Sequence, residues 1–291
     1  MRRALGWIAA AVAVLLLLGF VMWTQTVFQG EREAALEAWR DPAIEITSTP
    51  ESVVMRPVDG GSGTGLVFVP GARVDPYAYL RVLSGVVDAG ATVVITKPTL
   101  NLAFFDFRSL DAFTAAAPDV DEWWVGGHSL GGVRACMLAG DPESDASGLV
   151  LFGSYCANDL ADSGLDVLSI SGSNDGLTTP DDVTSNAHLL PADAVFVELE
   201  GANHADFGDY GVQPGDGEST MPREESLADI TAALEAALLG AGPAGRGSRA
   251  PRPAPRARWP HPAAAARRAG TARGGSRSAA RRASASTRSR P

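Results

Sequence analysis

The run Gly126-Gly127-His128-Ser129-Leu130-Gly131-Gly132 follows the apolar segment Trp123-Trp124-Val125 and precedes a helix-forming stretch, Val133 to Ala139. A serine with glycines two before and two after fits a sharp strand-to-helix turn. Such a turn strains the serine backbone and lifts its hydroxyl above the carboxyl end of a sheet. The glycines let neighbouring backbone pass where a Cβ would collide. The start of the following helix favours negative charge developing on a substrate oxygen. Ser129 is therefore the expected nucleophile of an acyl-transfer reaction.

Three further segments accompany this turn: Val69-Pro70-Gly71-Ala72-Arg73-Val74-Asp75, Gly172-Ser173-Asn174-Asp175-Gly176 and Gly201-Ala202-Asn203-His204. With them the chain, over about Val53 to Leu239, resembles the α/β-hydrolase superfamily. Within it, the chain is similar to the small lidless hydrolases grouped with dienelactone-hydrolase-like proteins. That group's namesakes use a cysteine nucleophile, and this turn carries serine. The resemblance thus implies esterase-like chemistry, and it is not specific for a substrate.

A serine hydroxyl needs a base within hydrogen-bond reach, and the base needs an orienting carboxylate. The histidines are His128, His188, His204 and His261. His128, inside the turn, is expected to pack or hydrogen-bond locally. His188 lies on an amphipathic run and His261 in the C-terminal tail. His204 follows the last expected strand in a Gly/Asn-rich loop, where the base belongs. The fold's chain order of serine, acid, histidine selects Asp175, in the turn after the expected strand Asp166–Ser171. Asp181 and Asp182 fit the first turn of the next helix, and Asp206 and Asp209 stand too close to His204 in sequence. Two backbone N–H groups are expected to hold the oxyanion, those of Leu130 and Ala72. Arg73 and Tyr77 have two open readings, as pocket lining or as helix-entry packing. The apolar stretch Lys97–Phe105 is expected to form a pocket wall, and no insertion is long enough for a large lid.

These residues need a scaffold, and the pattern supplies one. Expected strands are Ser52–Arg56, Gly65–Val69, Thr92–Thr96, Trp123–Gly126, Gly148–Phe152, Asp166–Ser171 and Ala194–Leu199. Expected helices are Pro76–Ala89, Ser109–Ala116, Leu130–Ala139, Pro180–Leu189 and Pro222–Leu239. Several strands are nearly all apolar, as when helices cover both sheet faces. The alternation predicts an α/β-hydrolase fold with a mainly parallel sheet. Gly60-Gly61-Ser62-Gly63-Thr64-Gly65 precedes a strand and no Lys follows, so no nucleotide motif applies. It reads as a hairpin turn. No cofactor and no metal is expected.

Composition sets the organisation. Residues 1–28 are expected to form a transmembrane signal anchor, 29–42 a helical stalk, 43–240 the catalytic domain and 241–291 a disordered Arg/Ala/Pro-rich tail. Ala4 to Trp23 carries no charge and follows Arg2 and Arg3, which suits a membrane span with a cytoplasmic N-terminus. A cleaved signal peptide is the competing reading, but Val21-Met22-Trp23-Thr24-Gln25 offers no small-x-small site. The catalytic domain is then expected outside the cytoplasm. The 34 acidic residues all precede residue 241, whereas 13 of the 24 Lys+Arg follow it. The acidic body argues against nucleic-acid binding, which needs clustered cations; the tail is suited to anionic polymers or solvent. The expected partners are thus the membrane, through the N-terminal helix, and a small-molecule or lipid ester substrate. The leading expectation is a membrane-anchored hydrolase of carboxylic esters; acyl transfer or thioester cleavage on envelope lipids is the alternative within the same chemistry, and a catalytically silent binding role is disfavoured because serine, acid and histidine are all present in order. Cys136 and Cys156 either pair or stay free. The helix rise puts Cys136 about 10 Å below the serine, whereas Cys156, after the carboxyl end of the neighbouring strand, is expected near the serine's level, and this separation argues against pairing.

Overall fold

The computed structural model describes residues 2–240. The expectation for residues 241–291 lies outside them. The elements run α1 (Arg2–Thr24), α2 (Arg32–Arg40), β1 (Ile44–Ser48), β2 (Ser52–Pro57) and β3 (Thr64–Val69). A 3-10 turn, Pro76–Tyr79, leads into α3 (Leu80–Asp88). Then come β4 (Thr92–Thr96), α4 (Leu110–Thr114), β5 (Glu122–His128), α5 (Leu130–Ala139) and β6 (Ala146–Phe152). The order closes with β7 (Asp166–Gly172), α6 (Pro180–Asn186), β8 (Val195–Leu199) and α7 (Arg223–Leu238).

Eight strands form one sheet in the order β1-β2-β4-β3-β5-β6-β7-β8. The pairs β1–β2 and β2–β4 are antiparallel and the rest parallel. This is the α/β-hydrolase architecture. Its strands alternate between two cores. Leu66, Phe68, Val150, Phe152, Leu168 and Ile170 face α3 and α7, meeting Leu83, Val86, Ile230 and Leu234. Val67, Val69, Val125, Leu149, Leu151 and Val167 face the other layer, with Leu110, Phe113, Ala135 and Leu138. A side-chain period of two over two buried faces accounts for the unbroken apolar runs. Because β3 to β8 are parallel, every loop at their carboxyl ends opens on the same edge of the sheet, and the predicted site residues sit there.

Four features depart from the sequence-based expectations. The edge strand β1 was not foreseen, because only Ile44 of its five residues is buried and the apolar signal is faint. The Gly60–Gly65 segment is no hairpin. It joins β2 to β3, which are separated in the sheet by β4. The segment expected as a helical stalk is helical, as α2, but packs on the domain: it buries Ala34 and Ala38, and Ala38 joins the core that α3 covers. The fourth concerns the cysteines.

Cys136 and Cys156 form a disulfide with their Cα atoms 5.5 Å apart. The expectation against pairing placed Cys156 at the level of the serine. The chain after β6 instead turns back along α5: Ser154 Oγ donates to the Ser129 carbonyl at 2.7 Å, and Asn158 Nδ2 donates to the Cys136 carbonyl at 3.1 Å. Cys156, midway between, is carried down beside the second turn of the helix.

The helix α1 is apolar, with a mean hydropathy of 2.6 over its best window and none of that window buried. Its length, about 33 Å at 1.5 Å per residue, matches a hydrocarbon core.

The disulfide closes a loop with a sequence separation of 20 residues. Constraining the unfolded chain at that length contributes about 3 kcal/mol. Replacing both cysteines by alanine is expected to lower the urea-unfolding free energy of the full chain by that order, and dithiothreitol is expected to do the same to the unsubstituted protein.

Candidate active site

The nucleophile turn is built by backbone crowding. Ser129 adopts φ +53° and ψ −125°, a region that costs a non-glycine residue on the order of 1–3 kcal/mol. Its N–H donates to the Phe152 carbonyl at 3.0 Å, and its own carbonyl accepts from Gly132 N at 2.9 Å as well as from Ser154 Oγ. The crossing of β3, β5 and α5 leaves no room for side chains. A Cβ on Gly127 would lie 2.5 Å from the Gly131 carbonyl carbon, and one on Gly131 would strike the carbonyl oxygens of Val69 and Pro70. Ser129 itself is partly exposed.

Asp175 and His204 are both buried and meet directly. The Asp175 Oδ1 atom accepts the N–H groups of Leu177 (2.9 Å) and Thr178 (2.7 Å), and Oδ2 faces His204 Nδ1 at 2.8 Å. The carboxylate only accepts, so Nδ1 carries the imidazole proton and Nε2 presents its lone pair. That Nε2 atom is buried and has no hydrogen-bond partner among the described residues. No hydrogen bond joins it to Ser129 Oγ; in free enzymes such contacts are often long and tighten with substrate bound. The His204 ring packs 4.4 Å, centre to centre, from that of His128, the residue next to Ser129.

The alternative acids are engaged elsewhere. Asp182 closes a capping box with Thr179 at the start of α6, and Asp181 lies in the same first turn. Asp206 caps its own short turn with Asn203. Asp209 is held by Arg81 and Arg223, at 2.5 and 2.9 Å.

The N–H groups of Ala72 and Leu130 donate to no other group among the described residues. Leu130 opens α5, so its amide adds to the positive end of that helix. The neighbouring Gly71 N–H is occupied by Tyr79 Oη at 2.9 Å.

Arg73 and Tyr77 do not join this group. The Arg73 guanidinium donates to Thr26 and stacks 4.3 Å from the Trp23 ring. Tyr77 Oη bonds Ser48 Oγ at 2.7 Å, and its ring packs near Trp39. The pocket-lining reading of both therefore gives way to packing at the entry of the domain. The stretch Lys97–Phe105 buries Leu102 and Ala103 but leaves Phe104 and Phe105 exposed, and Phe105 meets α1.

Three residues absent from the sequence reading shape the site. Asp216 accepts from Gly176 N (3.2 Å), His204 N (3.1 Å) and Ala205 N (2.9 Å), which ties the loop of Asp175 to the loop of His204. It sits in Pro214-Gly215-Asp216-Gly217, which reads as an ordinary turn. Ser154 holds the Ser129 carbonyl. Tyr79 Oη lies 2.9 Å from His128 Nδ1. Gly71 N–H donates to this oxygen, which leaves the hydroxyl proton for His128. Burial pushes the Tyr79 pKa up and keeps the phenol neutral.

A family model described as alpha/beta hydrolase family matches residues 65–228. No curated protein matches the chain.

Burial, and then the nearby His204, hold the His128 pKa well below its ordinary value of 6.5. The unfolded chain takes up that proton near pH 6.5 while the folded chain does not. Stability is therefore complete above that pH and lost as pH falls, by up to about 1.4 kcal/mol per pH unit. Urea titrations at pH 7, 6 and 5 are expected to show this slope in the unsubstituted chain and a shallower one in His128→Gln.

Proposed function

The chain belongs to the alpha/beta hydrolase family, and from that premise we propose that it is a serine hydrolase that cleaves carboxylic esters through an acyl-enzyme, held at a membrane by α1. The observation that carries this reading is the buried Asp175–His204 hydrogen bond of 2.8 Å beside a serine at positive φ. Together they supply an oriented base and a partly exposed serine at one sheet edge. Within the family, the resemblance to lidless dienelactone-hydrolase-like enzymes, with serine in place of cysteine, favours ester cleavage.

In this mechanism Ser129 Oγ attacks the ester carbonyl as His204 Nε2 takes its proton. The Ala72 and Leu130 N–H groups receive the oxyanion. The tetrahedral adduct expels the alkoxide, which takes the proton from His204. Water then attacks the acyl-serine, again with His204 as base, and releases the acid and free Ser129. Asp175 fixes the imidazole tautomer and offsets the positive charge of each imidazolium.

Several features support a retained membrane helix and an extracytoplasmic domain. Arg2 and Arg3 precede the span, as in cytoplasmic N-termini. A disulfide suits an oxidising compartment. The last turn of α1 is also attached to the domain, with Arg73 stacked on the Trp23 ring and Asn101 donating to the Thr24 carbonyl, an attachment with no use in a cleaved leader.

A panel of p-nitrophenyl esters of graded chain length tests the reaction. Hydrolysis is expected for the shorter acyl groups at least. Ser129→Ala is expected to fall to background, and Asp175→Asn to lose on the order of 10⁴ in kcat with little change in KM. Rates that survive Ser129→Ala would overturn the assignment.

A further inference from the structure

The two loops beside the nucleophile turn are fastened to the end of α1. In the loop after β3, Arg73 stacks on Trp23 and donates to Thr26 O at 3.0 Å and Thr26 Oγ1 at 2.6 Å. The main chain adds Phe28 N to Arg73 O at 2.7 Å and Asp75 N to Phe28 O at 2.9 Å. In the loop after β4, Asn101 Nδ2 donates to Thr24 O at 3.1 Å, and the Phe105 ring meets the Phe20 ring edge-on at 5.8 Å. Arg73 N–H also donates to the Asn101 carbonyl at 2.8 Å, so the loops hold each other.

These contacts set a depth. Phe20 lies four residues before Thr24, about 6 Å inside the helix end at 1.5 Å per residue. A ring packed against Phe20 therefore sits at the level of the last turn of the span. Beside it, Phe104 is 45% exposed and Phe107 is 87% exposed. Phe104 and Phe107 stand within two residues of Phe105 on the same loop, and exposed rings next to a residue at that level match the boundary between headgroups and acyl chains. Arg73 and Lys97 stand at the same edge of an otherwise acidic domain, with Arg108 beside them paired to Asp106, which suits an anionic lipid surface.

We propose that Phe104, Phe105 and Phe107 form a membrane-contacting edge and that the site takes its ester from the bilayer, as the acyl ester of a membrane-resident amphiphile. Ala72, whose N–H is assigned to the oxyanion, immediately precedes Arg73. The carbonyl-binding position thus lies one residue from the attachment to α1. An ester group at the headgroup boundary reaches that position without leaving the membrane. This inference rests on the reading of α1 as a span and of Ser129 as the nucleophile, and the experiment separates the three.

The full chain is reconstituted in vesicles of phosphatidylcholine and phosphatidylglycerol. Phe107→Cys is labelled with an environment-sensitive fluorophore, the native cysteines being paired. Asp193→Cys, before β8 at the opposite sheet edge, serves as the control. The expected result is a blue-shifted Phe107→Cys probe quenched by lipid nitroxides, with the Asp193→Cys probe unaffected. A probe at 107 as wet as the control overturns the proposal, and so does a chain that fails to float with vesicles, which would also remove the span. This readout is independent of catalysis. On activity, Phe107→Asp is expected to lower hydrolysis of an ester embedded in the vesicle by at least about fivefold. Hydrolysis of soluble p-nitrophenyl acetate should stay within about twofold of the unsubstituted chain. An equal effect on both substrates, or no effect on either, overturns the substrate assignment. An unsubstituted chain inactive on both overturns the ester reading while the probe still reports the membrane edge.

Discussion

A serine held at φ +53° has no local reason to stay there, and the architecture around it is arranged to keep it in place. β5 runs straight into the turn and α5 leads straight out, so the strain falls on one residue. The close crossing of Gly127 and Gly131 with the end of β3 fixes the angle between strand and helix. Ser154 then clasps the Ser129 carbonyl, and the disulfide two residues further on fastens that clasp to the helix. The covalent bond ties the segment that holds the Ser129 carbonyl to the helix that follows Ser129.

The second constraint is the burial of polar groups. Asp175 and His204 lie out of water, where an unmatched charge is costly. Asp175 is matched by two N–H groups and one imidazole. The loops that carry the pair are linked by Asp216, whose carboxylate takes backbone N–H groups from both. The acid and the base come from loops 29 residues apart in sequence, and Asp216 makes their spacing a single local matter. His128 and Tyr79 complete the surroundings as neutral partners beside the base, because burial disfavours a charge on either.

Much of this was legible in the sequence, for physical reasons. The glycine spacing around Ser129 has few other uses, and apolar runs of period two announce a covered sheet. The carboxyl ends of consecutive strands then locate Asp175 and His204. What escaped the sequence was contact between segments remote in the chain. Asp216 and Ser154 act through backbone groups of other loops, and Tyr79 through a neighbour 49 residues away; no local pattern marks them. The cysteine pairing depends on the return path of the chain along α5 after β6, which helix rise alone does not carry. Arg73 and Tyr77 were placed on the correct loop, but their side chains turn toward the N-terminal segments.

In the proposed reaction Ser129 is the group that becomes acylated. Treating the full chain with a fluorophosphonate and mapping the adduct by peptide mass spectrometry tests this directly. The predicted result is a single adduct on the peptide containing Ser129, absent from Ser129→Ala and much slower to form in His204→Gln. An unlabelled chain, or an adduct that persists in Ser129→Ala, would contradict it.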